Sequence, residues 1–208
     1  MHAQPYGDRG WLITDMSDHE RANCLDALEE ALPAGCEEYV VGYDSVLLVG
    51  EPYVLKDAIA GLIDDSSGNG AGTSPRTIEI PVHYDGSDLK SVAETIGVPI
   101  DEVISRHSAP VYTVRMMGFS PGFPYLDGLH PSLVLERRAS PRVRIEPGSV
   151  AIGGPHAGVY TVASPGGWHI LGRTHAKLFQ PDAAKGDRIV PSEVFALSVG
   201  DHVQFRPV

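Results

Sequence analysis

The strongest constraint on the fold comes from the stretch after Pro110, where short strand-like segments alternate with turns that contain glycine or proline. These segments are VYTVRMM, SVAIGG, GVYTVAS, GWHILGRT and DHVQFRPV. Short strands separated by frequent turns are typical of a β-barrel or a β-sandwich. We therefore expect a mainly β domain in this part of the chain.

The first part of the chain instead mixes helices and strands. Ser17 and Glu20 have the spacing of a capping box and predict the start of a helix, and Pro52 suits the first turn of a second helix. Strand-like segments precede the first helix, flank a turn at 42–44, and follow the second helix as TIEIPVHYD. The order β-α-β-β-α-β is typical of a ferredoxin-like α+β domain, which we place at 1–78. Its last strand could instead belong to the β domain at 79–208.

A segment rich in glycine and serine, SSGNGAGTSP at 66–75, predicts a flexible linker or a loose loop. Two short helices are expected after it, before the first strand of the β domain. Ser87 is the expected N-cap of the first helix, which ends before Gly97, and Pro99 begins the second.

The composition limits the partners of the protein. A formal net charge of −11 disfavours nucleic acid, because a phosphate backbone needs a basic surface. No window approaches the roughly 18 consecutive apolar residues of a membrane span. The N-terminal MHAQPYGDRG has no signal-peptide core, so we expect a cytoplasmic protein. Cys24 and Cys36 are expected to be ordinary packed thiols.

Basic side chains are concentrated in the segment ERRASPRVR, although the chain as a whole is acidic. The arginines of this segment are Arg137, Arg138, Arg142 and Arg144. They form either a local anion site or a set of solvated charges on a β-turn.

Several chemistries are disfavoured because their sequence motifs are missing. The spacing of the nine histidines and two cysteines does not match a zinc site. The glycine-rich stretches SSGNGAG and GGPHAG are not followed by Lys-Ser or Lys-Thr, so a Walker phosphate loop is not predicted. The sequence also lacks a G-x-S-x-G nucleophile elbow and a biotinyl-lysine context such as A-M-K-M.

The segment GFSPGFPYLDGL combines aromatic residues with proline and glycine. Pro121 and Pro124 exclude a helix or a central strand, so the segment is predicted to be a loop. Phe119, Phe123 and Tyr125 can then line a ligand cleft or dock on a partner, and we expect 119–126 at the mouth of the barrel. The alternative is that these rings only plug one end of the barrel.

The segment SPGGWHILGRT has a similar composition. Trp168 is either a core residue or a stacking wall, and His169 points to the opposite side if the segment is extended. Arg173 is a candidate to bind a carboxylate or a phosphate, with a salt bridge at the barrel rim as the alternative. His107, in SRHSAP, is either a general acid or base or a histidine that neutralises a helix end.

The motifs RHSAPVYTVRMMGFSPGFPYLDGL, RRASPRVRIEPGSVAIGG, SPGGWHILGRT and GDHVQF closely resemble those of the family that contains allophanate hydrolase subunit 1, KipI and the 5-oxoprolinase B subunit, PxpB. The resemblance covers roughly residues 80–208. It implies a small α+β domain followed by a cyclophilin-like β-barrel. It also implies a larger partner, of the type of allophanate hydrolase subunit 2 or the 5-oxoprolinase C subunit, and a further LamB/YcsF-type subunit.

The activity implied by the resemblance is ATP-dependent cleavage of 5-oxoproline to glutamate by the complex. ATP with Mg²⁺ would be used at a site that lies on this chain or on the partner, and this chain would carry no biotin. The resemblance leaves two alternatives open, which are a subunit of a urea carboxylase or allophanate hydrolase and a KipI-like regulator that binds a histidine kinase.

The resemblance also suggests roles for individual residues. The implied catalytic residues are His107 and His169. The implied substrate-binding residues are Phe119, Ser120, Phe123, Tyr125, His156, Trp168, Arg173 and Thr174. Two positions depart from the family pattern, since His156 stands where glutamine is frequent and His130 where aspartate is common.

Overall fold

In a computed structural model of the protein, the chain divides into two compact units, Met1–Ser74 and Pro75–Val208. The structure describes residues 1–66, 75–184 and 190–208, with only the backbone of 63–66. Most of the linker predicted at 66–75 therefore lies outside the described residues. The boundary between the units falls before the strand that the sequence had assigned to the first domain, instead of at 78/79.

The first unit contains a four-stranded antiparallel sheet and two helices. Its elements are β1 His2–Tyr6, β2 Gly10–Thr14, α1 Asp18–Glu30, β3 Cys36–Val41, β4 Val46–Gly50 and α2 Pro52–Ser66. The order in the sheet is β1-β2-β4-β3. The predicted capping box is confirmed, because the backbone N–H of Ser17 donates to Glu20 Oε2 at 2.7 Å and the Glu20 N–H donates to Ser17 Oγ at 3.3 Å.

The ferredoxin-like arrangement predicted for the first unit is not confirmed. The segment TIEIPVHYD supplies a strand, β5 Thr77–Val82, that pairs in parallel with β13 His202–Pro207 of the second unit. The first unit instead gains β1, which the sequence did not predict, since HAQPY is mostly exposed and shows no hydrophobic alternation. The observed order is therefore ββαββα.

The second unit carries most of the strands. Between β5 and β13 its elements are α3 Leu89–Ile96, α4 Ile100–Ser108, β6 Tyr112–Met117, β7 Pro124–Asp127, β8 Arg142–Ile145, β9 Ser149–Gly153, β10 His156–Val159, β11 Ser164–Gly166, β12 His169–Arg173 and α5 Pro191–Val194. Two 3₁₀ helices span Pro131–Leu133 and Pro181–Ala183. Strands β8 and β11 form a separate two-stranded sheet.

Seven strands of this unit form a nearly closed barrel, in the order β12-β9-β10-β7-β6-β13-β5. The two edges of the sheet meet where His83, just after β5, bridges Arg173 of β12. The backbone N–H of each residue donates to the carbonyl of the other at 2.9 Å. The mainly β barrel expected from the alternation of strands and turns is therefore present.

Alternate residues of the barrel strands pack on opposite faces of the sheet. Val150 and Ile152 belong to the large interior core, with side chains from β5, β6, β7, β10, β12 and β13 and from helices α3 and α4. Ala151, between them, belongs to a smaller apolar cluster on the outer face. The candidate functional site lies at this second cluster.

The cysteines are free thiols, as the sequence predicts. Cys24 is fully buried in α1, and burial raises the pKa of its thiol to about 11. A thiol with so high a pKa is largely protonated and unreactive near neutral pH.

Candidate functional site

Five rings form an aromatic cluster, defined here as Phe119, Phe123, Tyr125, Tyr160 and Trp168. Phe123 is its centre, with ring centroids 5.1–5.4 Å from those of the other four and every pair in edge-to-face geometry. Edge-to-face contacts of this kind are favourable beyond the apolar area they bury. The segments GFSPGFPYLDGL and SPGGWHILGRT, far apart in sequence, therefore meet at one place.

The cluster lies on the outer face of the barrel sheet. Phe123, Tyr160 and Trp168 pack with Ala151, whose neighbours Val150 and Ile152 point into the barrel. The alternative, in which these rings plug the inside of the barrel, is therefore wrong, whereas the expectation that 119–126 lies at the mouth of the barrel stays a prediction.

Glycines in the sheet make room for the indole of Trp168. A Cβ atom at Gly153 would come within 2.6 Å of the indole, and one at Gly158 within 3.0 Å. Trp168 can therefore lie flat against the sheet, where it is only 4% exposed. The core interpretation of Trp168 therefore agrees with its burial, and its role as a stacking wall stays a prediction.

The predicted loop is confirmed only for 118–123, which holds one aromatic ring out towards solvent. Pro124, which was expected to exclude a central strand, is instead the first residue of β7, a position at which proline is tolerated. Phe119 has φ of +65°, a backbone conformation that residues other than glycine rarely adopt, and its side chain is 58% exposed. Short-range backbone hydrogen bonds close the loop, and Thr161 Oγ1 donates to the carbonyl of Pro121 at 2.6 Å. The Ser120 hydroxyl is buried and has no hydrogen-bond partner within the described part of the chain.

Asp88 organises the arginine segment beside the cluster. Its Oδ1 accepts hydrogen bonds from Arg138 Nη1 at 2.9 Å and Arg142 Nη2 at 2.7 Å, and its Oδ2 accepts one from the backbone N–H of Ile170 at 2.7 Å. Burial alone would raise the pKa of Asp88, but these hydrogen bonds and the two positive charges lower the pKa below its usual value. Asp88 rather than Ser87 is the N-cap residue of α3, and its side chain serves the arginines instead of the helix.

Arg137 lies over the Trp168 ring, with its Cζ 5.9 Å from the ring centroid. The hydroxyl of Tyr160 lies within electrostatic range of the Trp168 backbone N–H and of Arg137 and Arg142. Burial raises the pKa of Tyr160, and these three interactions oppose that rise. Arg144 instead forms an exposed pair with Glu146 at 2.7 Å.

His156 and Asp127 form a hydrogen-bonded pair at the edge of the cluster. His156 Nδ1 donates to Asp127 Oδ1 at 3.0 Å, and the imidazole meets the Tyr125 ring edge-to-face at 5.9 Å. Because the carboxylate can only accept, this bond places a hydrogen on Nδ1 and fixes the orientation of the ring. The structure thus brings together His156 and Tyr125, two residues of the predicted substrate-binding set.

His169 is half-buried at the start of β12, and its Nε2 donates to the carbonyl of Glu136 at 2.8 Å. The bond ties β12 to the segment that carries Arg137. His130, the second departure from the family pattern, accepts a hydrogen bond from the Ser132 N–H at Nδ1 and caps a 3₁₀ helix.

His107 lies in the interior, away from solvent. It is fully buried in α4, stacks on Phe205 with ring centroids 4.6 Å apart, and hydrogen-bonds through Nδ1 to the Tyr84 hydroxyl at 2.7 Å. Burial lowers the pKa of His107 to about 3, so the ring is neutral at physiological pH. The predicted role as a catalytic acid or base does not fit this position, because no substrate can reach the ring.

Acid is expected to destabilise the second unit through His107. The unfolded chain takes up a proton on this residue below pH 6.5, whereas the folded chain does so only near pH 3. The free energy of unfolding should therefore fall as the pH drops below 6.5, by about 2 kcal/mol from this residue at pH 5. The measurement is urea denaturation at several pH values between 7 and 5. The free energy of unfolding should fall less over this range in His107→Gln than in the wild type. Parallel curves for the two proteins would contradict this.

Arg173 and Thr174 are not part of the aromatic cluster. Arg173 is at the far end of β12, four residues and about 13 Å of strand from His169. Its Nε is 2.8 Å from Asp85 Oδ2, with both side chains largely exposed, which is the rim salt bridge offered as the alternative. Thr174 is buried, accepts a hydrogen bond from the Ala176 N–H at Oγ1, and lines an open groove of about 390 Å³.

The matches to known proteins agree with the motifs. A family model described as "Carboxyltransferase domain, subdomain C and D" matches residues 1–187. The chain belongs to this family. Its relatives include the B subunit of 5-oxoprolinase from Escherichia coli O157:H7, which is 44% identical over 135 residues, covering 64% of this chain and 58% of the relative.

A second relative, the 5-oxoprolinase B subunit of Haemophilus influenzae, is 44% identical over 133 residues, 62% of this chain and 59% of the relative. The match thus spans less than two thirds of either curated protein. Among solved structures, TTHA0988 is similar with a TM-score of 0.80 and 31% identity, over 96% of this chain and 40% of that one. The Kluyveromyces lactis urea amidolyase shares the fold, at a TM-score of 0.73 and 19% identity over 99% of this chain and 15% of that chain.

Three residues of the candidate site were not predicted from the sequence, namely Asp88, Asp127 and Tyr160. Asp88 precedes a helix, where an acidic residue is commonplace, and Asp127 follows a short strand inside the aromatic segment. Tyr160 is part of GVYTVAS, in which it cannot be told from an ordinary strand tyrosine. Within the described ranges, no group of three or more His, Cys, Asp or Glu side chains could hold a metal ion, and no helix is long and apolar enough to cross a membrane.

Proposed function

We propose that this chain is one subunit of an ATP-dependent 5-oxoprolinase and that it acts with a larger partner of the type of the 5-oxoprolinase C subunit. The observation that carries the proposal is the 44% identity to proteins named as the B subunit of 5-oxoprolinase, in matches of 109–135 residues. A LamB/YcsF-type subunit completes the complex in this proposal. Two of the four motifs that carry the resemblance also meet at the aromatic cluster, which supports a shared site.

The chemistry requires activation of an unreactive amide. In the proposed reaction 5-oxoproline, ATP and two molecules of water give glutamate, ADP and phosphate. Phosphorylation of the ring amide oxygen makes the carbonyl carbon open to attack by water. The proposed site for Mg²⁺ and the nucleotide is on the partner, in keeping with a sequence that lacks a Walker loop.

The aromatic cluster offers a surface for substrate and partner together. Phe119 is exposed, Tyr125 is half-buried, and Phe123 beneath them is fixed by four ring contacts. A rigid aromatic surface binds with little loss of side-chain entropy. We propose that the larger subunit closes over this surface and excludes water from the substrate.

The purified single chain is expected to show little or no turnover, and the complex co-expressed with its larger subunit is expected to hydrolyse 5-oxoproline only when ATP is present. The measurement is phosphate and glutamate release with 5-oxoproline, urea and allophanate assayed side by side. Robust turnover by the single chain would contradict the need for a partner. A complex that is intact but consumes only urea or allophanate would contradict the choice of substrate.

A further inference from the structure

The arginine segment carries more positive charge than the protein itself neutralises. Arg138 and Arg142 share the single carboxylate of Asp88, which leaves one net positive charge. Among the described residues no carboxylate lies within ion-pair distance of Arg137, which adds a second. When the carboxylate of Glu136, the first residue of the same segment, is also counted, the local excess is one positive charge, in a chain with a formal net charge of −11.

The hydrogen-bond donors of these arginines also outnumber the available acceptors. Arg138 Nε and Arg142 Nη1 are buried and have no partner in the part of the chain that the structure describes. Leaving a buried donor unpaired is costly. An anion bound next to the cluster would supply the missing negative charge.

Arg137 is held where it can reach such an anion. Its guanidinium lies over Trp168, which is itself locked against Gly153 and Gly158. A guanidinium stacked on an aromatic ring keeps the N–H groups at its edge available for a planar oxyanion. The half-buried Tyr125 meets the Trp168 ring edge-to-face at 5.7 Å, and the Tyr160 hydroxyl lies within electrostatic range of Arg137.

We propose that Arg137, which lies over the Trp168 ring, binds the carboxylate of a small ring-containing substrate at the aromatic cluster. This proposal rests on the proposed function for the identity of the ring, 5-oxoproline. It replaces Arg173 in that role, because Arg173 is paired with Asp85 and lies at the other end of β12. A phosphate group presents similar oxyanion chemistry, so the test separates the two ligands.

The test uses the full chain with Trp11→Phe, which leaves Trp168 as the only one of the two tryptophans and makes its fluorescence a direct reporter. 5-Oxoproline, 2-pyrrolidinone and inorganic phosphate are titrated separately. We expect a saturable change with 5-oxoproline and a far weaker one with 2-pyrrolidinone, which has the ring but lacks the carboxylate. Adding Arg137→Gln should weaken binding of 5-oxoproline about 10- to 100-fold, the usual effect of losing a charge-assisted contact.

Arg144→Gln is the matched control, because Arg144 lies in the same segment but is exposed and paired with Glu146. It should bind 5-oxoproline like its parent. The inference is overturned if Arg137→Gln binds normally, if 2-pyrrolidinone binds as well as 5-oxoproline, if no ligand gives a saturable change, or if only phosphate binds.

Turnover by the complex distinguishes this inference from the proposed function. A complex that hydrolyses 5-oxoproline with the same KM after Arg137→Gln would overturn the assignment of Arg137 and leave the function standing. Saturable binding of 5-oxoproline that depends on Arg137, in a complex that does not hydrolyse it, would overturn the function and leave the assignment standing. If both hold, KM should rise with Arg137→Gln and stay unchanged with Arg144→Gln.

Discussion

Phe123→Ala is expected to lower the free energy of unfolding of the second unit by about 3–5 kcal/mol, the usual cost of removing a buried phenylalanine ring. Phe123 is 1% exposed, and its ring touches four other rings of the aromatic cluster. The cavity cannot readily collapse, because Trp168 lies against glycine backbone on its other side. Urea denaturation followed by near-ultraviolet circular dichroism measures the loss.

Phe119→Ala is the matched control from the same loop. Phe119 is 58% exposed, so the loss of its ring should change the free energy of unfolding by less than about 1 kcal/mol. It should instead weaken association with the larger subunit, which co-purification measures. Equal destabilisation by the two substitutions would show that the cluster is not organised around Phe123. Normal association and turnover after Phe119→Ala would show that the exposed ring is not a docking residue.

Asp88→Ala is expected to lower the free energy of unfolding by about 3 kcal/mol, because it leaves two arginines without their shared carboxylate and the Ile170 N–H without an acceptor. The value is placed at the low end for a buried pair because the side chains of Arg138 and Arg142 remain 35% and 25% exposed. The same loss should release the segment that carries Arg137, so binding of 5-oxoproline should weaken as well.

Glu146→Ala is the control for Asp88→Ala, since it breaks the exposed ion pair between Arg144 and Glu146 in the same region. It should lower the free energy of unfolding by about 0–1 kcal/mol. The stabilisation by Asp88 also has a defined pH range. Because its pKa is lowered in the folded chain, the contribution is complete above the ordinary value of 3.8 and is lost as the pH falls below it. A loss of stability no greater than that of Glu146→Ala would mean that Asp88 does not organise the segment.

The resemblance placed residues of both aromatic segments in one substrate-binding set, but it did not predict on which side of the sheet they lie. Both aromatic segments could be recognised by composition, and the capping box at Ser17 could be recognised by spacing. The face was not predictable, because a shift of one residue in strand register moves every side chain to the other side. The register cannot be read from the sequence, because the pairing is irregular between Val114 and Met116 in β6 and between Ile170 and Gly172 in β12.

The long-range pairing of strands could not be predicted from the sequence either. TIEIPVHYD has the composition of a strand in either unit, and its parallel partner β13 lies more than a hundred residues later. The burial of His107 could not be predicted either. A histidine at the end of a helix has the same sequence pattern whether its ring points to solvent or packs on Phe205. Only the packing distinguishes the two.

The position of β13 also governs the order in which this unit can be completed during synthesis. β13 lies between β5 and β6 in the barrel and pairs with both, so neither of those strands has its full set of neighbours until β13 has been made. The 120 residues from Val82 to His202 take roughly 6–24 s at a typical rate of about 5–20 residues per second. During that interval the unpaired backbone groups of β5 and β6 on the nascent chain can form hydrogen bonds with other strands.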